Sequence, residues 1–251
     1  MNGDGKADFI IGAYGADPGG FGDAGSAYVY SGADGNLLYQ KDGAATGDYL
    51  GFSVSGAGDV DGDGRGDFII GAFYADPGGL NDAGSAYVYS GADGSLLYQK
   101  DGDSTGDWFG FSVAGAGDAD GDGRGDFIIG APTADPGGIF RAGAAYVYSG
   151  ATGGLLHLKH GAAYDYELGY SVGGAGDVDG DGRGDFIIGS HVSDSVRAYV
   201  YSGATGDLLD EKDGANIGYN LGVCVAGAGD VDGKWEGGYH HRGSSCRARR
   251  D

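Results

Sequence analysis

One interval constrains this chain more than any other feature. The acidic stretch D-V-D-G-D-G-R-G-D begins at Asp59, returns as D-A-D-G-D-G-R-G-D at Asp118, and returns again at Asp177, a constant spacing of 59 residues. A fixed period of this size means a stacked or radial array of one supersecondary unit. Each unit has the same punctuation. A small apolar run comes first, as in Gly51–Gly58, Phe111–Gly117 and Tyr170–Gly176. The acidic loop follows, then a β-branched run such as Asp67–Ala72, Asp126–Ala131 and Asp185–Ser190. An A-Y-V-Y-S-G run and an L-L-Y-Q-K run complete it, as at Ala86–Gly91 and Leu96–Lys100, separated by A-D-G or A-T-G turns. Short β-rich runs bounded by Gly and Asp are strand signals, and the two-run pattern with a tight Gly turn is a hairpin. Four antiparallel strands repeated radially make a propeller blade. The expected fold is therefore all-β, a propeller of four-stranded blades with about four blades in this chain.

Gly 59 and Pro 4 of 251 residues approach the level associated with disorder. Against that, 18 Tyr and 10 Phe recur at fixed repeat positions, and disordered chains are poor in aromatics. The expected organisation is one propeller over 1–229, with repeats near 1–48, 49–107, 108–166 and 167–219 and an extra first strand at 221–229. Residues 230–251 are expected to be a partial acidic loop and an irregular tail.

The acidic loops carry the chemistry. Four carboxylates in nine residues repel one another, at ~4 Å by roughly 1 kcal/mol per pair in water and about 4 kcal/mol at an effective dielectric of 20. A hard divalent cation removes that penalty, and Ca²⁺ takes six to eight oxygens in a flexible shell. The candidate ligands are Asp59, Asp61, Asp63 and Asp67; Asp118, Asp120, Asp122 and Asp126; and Asp177, Asp179, Asp181 and Asp185. The main-chain carbonyls of Arg65, Arg124 and Arg183 are natural fifth ligands. Glycines at loop positions 4 and 6 permit the tight turns. The loop is not an EF-hand, because position 12 counted from Asp59 is Ile70 rather than Glu.

The order F-G-x-S-V, acidic loop, I-I-G-A-P resembles the FG-GAP repeat of integrin α subunits and of bacterial surface and secreted proteins. It is most complete at Phe109-Gly110-Phe111-Ser112-Val113, Asp118–Asp126 and Ile128-Ile129-Gly130-Ala131-Pro132. Other copies carry Leu50-Gly51, Leu168-Gly169 and Leu221-Gly222 for Phe-Gly, and Gly71-Ala72-Phe73 or Gly189-Ser190-His191 for Gly-Ala-Pro. The resemblance implies Ca²⁺ held at loop positions 1, 3, 5, 7 and 9, between a blade's first and second strands. It also implies partner contacts on the opposite face.

The ends suggest a split fourth site. Asn2, Asp4, Lys6 and Asp8 match the later part of an acidic loop, while Asp230 and Asp232 match the start of one. If the last strand, Leu221–Ala228, completes the first blade, these halves meet. The alternative is an arc of a larger propeller, in which case self-association is expected. Lys234–Asp251 breaks the repeat and is basic; a one-nucleotide shift after the start of the Lys234 codon would permit N-G-K-A-D-I-I-I-G-A-P. The expectation is a frame-shifted tail and a longer parent.

A formal charge of −22 disfavours nucleic acid and anionic membrane surfaces as partners, and no segment suggests membrane insertion. Extracellular calcium modules bind at about 10⁻⁴–10⁻³ M, so the expected setting is extracellular or cell-surface. Two cysteines, Cys224 and Cys246, imply no disulfide framework. The R-G-D triplets end on presumptive ligands and are not expected to be displayed. No nucleophile motif or zinc spacing appears, so an enzyme is not expected. The one departure from symmetry gathers His157, His160, Tyr164, Asp165, Tyr166, Glu167, His191 and Arg197. The functional expectation is a calcium-stabilised module binding a protein or glycan, with a secreted polysaccharide hydrolase or lyase as the alternative. Tyr49, Trp108, Phe109, Tyr164, Tyr166 and Tyr219 are candidates either for an exposed binding patch or for packing between blades.

Overall fold

A computed structural model describes residues 1–191, 197–214 and 221–229. It contains fifteen strands among those residues. The first sheet holds β1 (Phe9–Ala13), β2 (Ser26–Tyr30) and β3 (Leu37–Asp42). The second holds β4 (Ser53–Gly58), β5 (Asp67–Ala72), β6 (Ser85–Tyr89) and β7 (Leu96–Asp101). The third holds β8 (Ser112–Gly117), β9 (Asp126–Ala131), β10 (Ala144–Tyr148) and β11 (Leu155–His160). The fourth holds β12 (Ser171–Gly176), β13 (Asp185–Gly189), β14 (Arg197–Tyr201) and β15 (Leu208–Asp213). Every sheet is antiparallel with strands in chain order. The chain is an all-β propeller built of such blades.

The innermost strands β4, β8 and β12 lie against one another in sequence. Small residues make that approach possible. A Cβ at Gly174 would stand 2.8 Å from the Gly115 carbonyl oxygen. The joint further out is tighter still: a Cβ at Gly130 would stand 2.0 Å from the Gly169 carbonyl oxygen of the next blade. The same contact recurs between Gly71 and Gly110 and between Gly189 and Gly222. The Gly of Phe-Gly and the Gly of Ile-Ile-Gly are thus two halves of one inter-blade joint.

The second strand of each complete blade is buried on both faces, hence its unbroken apolar run rather than alternation. Phe68, Ile69 and Ile70 are fully buried, as are Phe127, Ile128 and Ile129. Each buried Phe is sandwiched. Phe127 stacks on Tyr148 of its own blade at 5.5 Å and on Tyr98 of the preceding blade at 5.9 Å. Phe186 repeats this with Tyr201 and His157, and Phe68 with Tyr89 and Tyr39. The outer strand also reaches forward: Tyr98 donates its hydroxyl to the Gly150 carbonyl and Lys100 its ammonium to the Gly153 carbonyl. Phe9 stacks only on Tyr30 and is 46% exposed.

The expected first strand at Leu221–Ala228 is not formed as a strand. Residues 221–229 instead lie along β12, where a Cβ at Gly227 would meet the Gly174 carbonyl oxygen at 2.4 Å. That is the inner position of the next blade along, not the free edge of β1. Among the described residues β1 has only β2 as a sheet partner. Extended chain without a ladder partner is not a strand, and this segment's hairpin partner would come after Gly229, outside the described residues. The frame-shift reading of Lys234–Asp251 also falls outside them.

Truncating Phe127 to Ala should cost about 3–5 kcal/mol in urea unfolding, the usual range for a buried Phe. Phe9→Ala should cost well under half of that, since its ring is half exposed already. Equal losses would contradict the sandwich as the source of blade cohesion.

Candidate metal-binding loops and the opposite face

Each acidic loop joins an innermost strand to its neighbour, so all three full loops emerge at the same end of their blades. Backbone N–H groups fold them. In the second copy, Asp118 Oδ1 accepts from Gly121 and Asp122 N–H at 2.8 and 3.0 Å, and its Oδ2 accepts from Gly123 N–H at 2.9 Å. Asp120 and Asp122 accept from the N–H two residues on. Gly121 and Gly123 have φ of 78° and 89°, which side-chain-bearing residues rarely adopt.

Asp126 has a separate task. Its Oδ2 accepts from Ala119 N–H at 2.7 Å, and its Oδ1 from Gly150 N–H at 2.8 Å in the hairpin between β10 and β11. Asp67 and Asp185 make the same bonds, to Gly91 and Gly203. The ninth loop residue therefore pins its loop to the outer hairpin. These three aspartates are buried, and burial raises the carboxyl of each above its usual range, that of Asp126 to about 6. The R-G-D triplets accordingly hide their Asp.

Within each loop three carboxylates offer oxygens within 4.8 Å of one another: Asp59, Asp61 and Asp67; Asp118, Asp120 and Asp122; Asp177, Asp179 and Asp185. Of the four expected carboxylates per loop, Asp63, Asp126 and Asp181 fall outside these groups. An all-oxygen, partly buried and uncompensated donor set fits a hard divalent cation. In the half-loop at the N-terminus, Asp8 accepts from Asn2 and Gly32 N–H, and Asp4 from Lys6 N–H. This is the same fold of loop, but no group of three acids forms there among the described residues. Asp230 and Asp232 lie outside them.

Sequence reasoning assigned the loop arginines only a carbonyl role. The structure places their side chains across the blade boundary. A Cβ at Gly62 would stand 3.2 Å from Arg124 Nε, one at Gly121 3.1 Å from Arg183 Nε, and one at Gly3 3.3 Å from Arg65 Nε. Each guanidinium thus lies over the preceding blade's acidic loop. The constant spacing of Arg relative to Gly was the available signal.

At the other end of the blades, residues just before β4, β8 and β12 and just after β1, β5 and β13 form a continuous aromatic ladder. Tyr14 meets Phe52 at 5.5 Å, Phe52 meets Phe73 at 4.5 Å and Phe111 at 5.1 Å, and Phe73 meets Trp108 at 5.8 Å. Phe111 meets Tyr170 at 4.9 Å, and Tyr170 stacks on His191 at 4.6 Å. Tyr14 and Phe52 are exposed. Tyr49 joins this ladder through Tyr14 and Phe73. Phe109 does not: it is 2% exposed and belongs to the core. Tyr164 stacks on Phe140, Tyr166 packs on Tyr199, and Tyr219 lies outside the described residues. Phe52, Phe111 and Tyr170, each following the Gly of Phe-Gly or Leu-Gly, read in the sequence only as part of the first strands.

The asymmetric group is partly assembled. Glu167 is buried between Arg141, which bonds its Oε1, and His191, whose Nδ1 is 3.0 Å from its Oε2. Arg141 Nη1 is also 3.4 Å from Asp165. His157 stands elsewhere, with its Nε2 against the Gly203 carbonyl in the position of Tyr39 and Tyr98. Arg197 pairs with Glu211 and Asp213.

Sheets in chain order, glycine joints between blades and a repeated acidic loop define the class: a β-propeller built from an acidic-loop repeat. The FG-GAP repeat family model matches residues 1–30, 50–89 and 109–148. Integrin alpha-PS2 of Drosophila melanogaster is 32% identical over 181 residues, 63% of this chain and 12% of that protein. Integrin alpha-5 of Xenopus laevis is 32% identical over 219 residues, 78% and 19%. Integrin alpha-V of Gallus gallus is 30% identical over 213 residues, 79% and 20%. The chain carries FG-GAP repeats and is similar to integrin α chains, spanning a fifth or less of the length of these relatives. A solved propeller, that of Dos1, aligns with a TM-score of 0.47 at 13% identity over 75% of this chain and 42% of that one. No described helix is long and apolar enough to cross a membrane.

The raised carboxyl of Asp126 sets a pH dependence. The folded protein holds that proton to about pH 6, whereas the unfolded chain releases it near 3.8. The folded state therefore binds more protons between those values, and metal-free stability falls as pH rises through that window. In EDTA, the melting temperature should drop from about pH 4 to pH 6, and less steeply in Asp126→Asn. A metal-free melting temperature that rises across the window, or a slope identical in Asp126→Asn, would contradict this.

Proposed function

We propose that this chain is a calcium-stabilised, extracellular or cell-surface propeller that binds a protein or glycan partner, in adhesion, through the face opposite its acidic loops. Residues 1–229 form the propeller unit in this reading. Calcium would be held by the carboxylates at loop positions 1, 3, 5 and 9 and the position-7 carbonyls. The half-site of Asn2, Asp4, Lys6 and Asp8 would be completed by the equivalents of Asp230 and Asp232 in a second copy.

The observation that carries the reading is the division of labour between the two ends of the blades. One end gathers carboxylates in threes; the other gathers an aromatic ladder across all four blades, with Tyr14 half exposed at its margin. An ion at each loop stabilises the folded state because the open chain offers no formed site, by RT ln(1 + [L]/Kd) per site. At tenfold saturation that is about 1.4 kcal/mol per site. The ion's chemistry is electrostatic: it neutralises the carboxylates and fixes the turn from inner strand to second strand. The relatives are integrin α chains by name, which favours a binding role over a catalytic one.

A secreted polysaccharide hydrolase or lyase is the second reading, and the Glu167–His191 pair is the observation that favours it. Both Glu167 oxygens are engaged, by Arg141 and His191, which suits a fixed binding wall better than an acid that must exchange protons.

Chelation should lower the melting temperature, and millimolar CaCl₂ should restore it. Asp118→Asn should remove about a third of the calcium-dependent part. Identical melting in EDTA and in CaCl₂ would overturn the proposed role of calcium.

A further inference from the structure

The repeat is broken chemically at one place on the partner-binding face, while its backbone stays intact. Glu167, Trp108 and Tyr49 occupy the same position in three successive blades, with φ of 50°, 55° and 54°. Arg141, Asp82 and Asp23 likewise correspond, with φ of 47°, 53° and 52°. The bond joining these positions is kept: Glu167 N–H donates to the Arg141 carbonyl at 2.9 Å, as Trp108 N–H donates to the Asp82 carbonyl at 3.2 Å. His191 stands where Tyr14, Phe73 and Pro132 stand in the other blades. Three side chains have thus been exchanged on an unchanged frame, and they touch one another.

They line a groove between the third and fourth blades. One cavity of about 290 Å³ is bounded by Trp108, Thr133, Arg141, Glu167, Tyr170 and His191. A second of about 400 Å³ adjoins it and shares Trp108, Thr133 and Arg141. Each is of the size of a small-ligand site.

The hydrogen-bonding character of the walls can be assigned. A carboxylate only accepts, so His191 Nδ1 carries the proton in its bond to Glu167, and Nε2 is the ring's remaining polar atom. Thr133 spends its proton on the Gly106 carbonyl at 2.6 Å, leaving lone pairs. Asp135 uses Oδ1 to accept from Arg141 N–H and has a second oxygen to offer. Beside the donors of Arg141 and Trp108, the groove thus presents acceptors at Thr133 and Asp135, and suits a ligand whose groups both donate and accept. Its charges cancel close to the wall, Arg141 against Glu167. A cationic ligand would sit against the guanidinium, and an anionic one against Glu167 and Asp135 in a chain of net charge −22. Trp108 and Tyr170 add aromatic surface for an apolar face.

We propose that this groove is a subsite for a neutral sugar of an oligosaccharide chain, its ring against Trp108 and its hydroxyls hydrogen-bonded to His191, Thr133 and Asp135. A pyranose joins an apolar C–H face to an edge of uncharged hydroxyls, which is what the walls demand. The inference deepens the partner-binding reading of this face and rests on it. The fixed Arg141–Glu167–His191 chain orients the imidazole and closes the groove's floor.

Trp108 is one of two tryptophans in the chain, the other being Trp235, so fluorescence reports on the site. The full chain in CaCl₂ would be titrated with neutral hexasaccharides of glucose, xylose, mannose and N-acetylglucosamine, and with hexalysine and a hexauronate. At least one neutral hexasaccharide should give a saturable change. His191→Phe, which installs the ring already present at Phe73, should weaken it about tenfold or more, as expected for a lost hydrogen bond to a desolvated partner. That variant leaves the buried Glu167 Oε2 without its partner, so its melting temperature should fall by a few degrees, and binding is compared well below it. Saturation by hexalysine or the hexauronate alone, no saturation by any neutral hexasaccharide, or binding unaltered in His191→Phe would each overturn the sugar subsite. Calcium-dependent melting, together with protein-partner binding sensitive to Phe52→Ser, would still support the broader reading, so the two fail separately.

Discussion

Carboxylates held within 4.8 Å of one another are the constraint on which the architecture turns. The loops cannot spread to relieve the repulsion, because each spans adjacent strands of one hairpin. They cannot dissolve into water either, because the ninth residue is buried and bonded to the outer hairpin. The charge must be met by something fixed. Arg65, Arg124 and Arg183 each bring positive charge over the loop of the blade before without forming an ion pair with its carboxylates. A divalent ion within each loop would meet the rest. Loop charge and blade cohesion are therefore one problem: the arginine that relieves one blade's loop is carried by the next blade.

The joints between blades share this economy of small parts. Glycine pairs bring backbones together near the axis, a buried Phe is clasped by rings from two blades further out, and Lys and Tyr reach the next hairpin at the rim. Each joint is modest alone. Repetition makes the array cohere, as in any solenoid or propeller whose units contact mainly their neighbours. It also means that stability added at one loop is felt at the adjoining blade.

Much of this was legible in the sequence, because strand runs, turns and acidic loops are local patterns. Asp67–Ala72 and Leu96–Asp101 appear within a residue of where the apolar and hairpin signals put them. What escaped were relations between residues nearly sixty positions apart. Phe109, open in the sequence between an exposed patch and packing between blades, is core, because the third blade closes over it; Phe52, Phe111 and Tyr170 read as strand starts but form the ladder. Arg141 carried no signal, since its partner Glu167 lies 26 residues away. The segment at 221–229 has the composition of a strand and lies in an inner-strand position, yet composition cannot supply the partner that a ladder requires.

The central claim is that fixed carboxylates are neutralised by a resident ion. Elemental analysis of the purified chain after exhaustive dialysis against calcium-containing buffer tests it most directly. The account predicts at least three equivalents of calcium per chain, with one lost in a variant carrying Asp118→Asn and Asp120→Asn together. A chain that retains its fold and holds no stoichiometric calcium would contradict it.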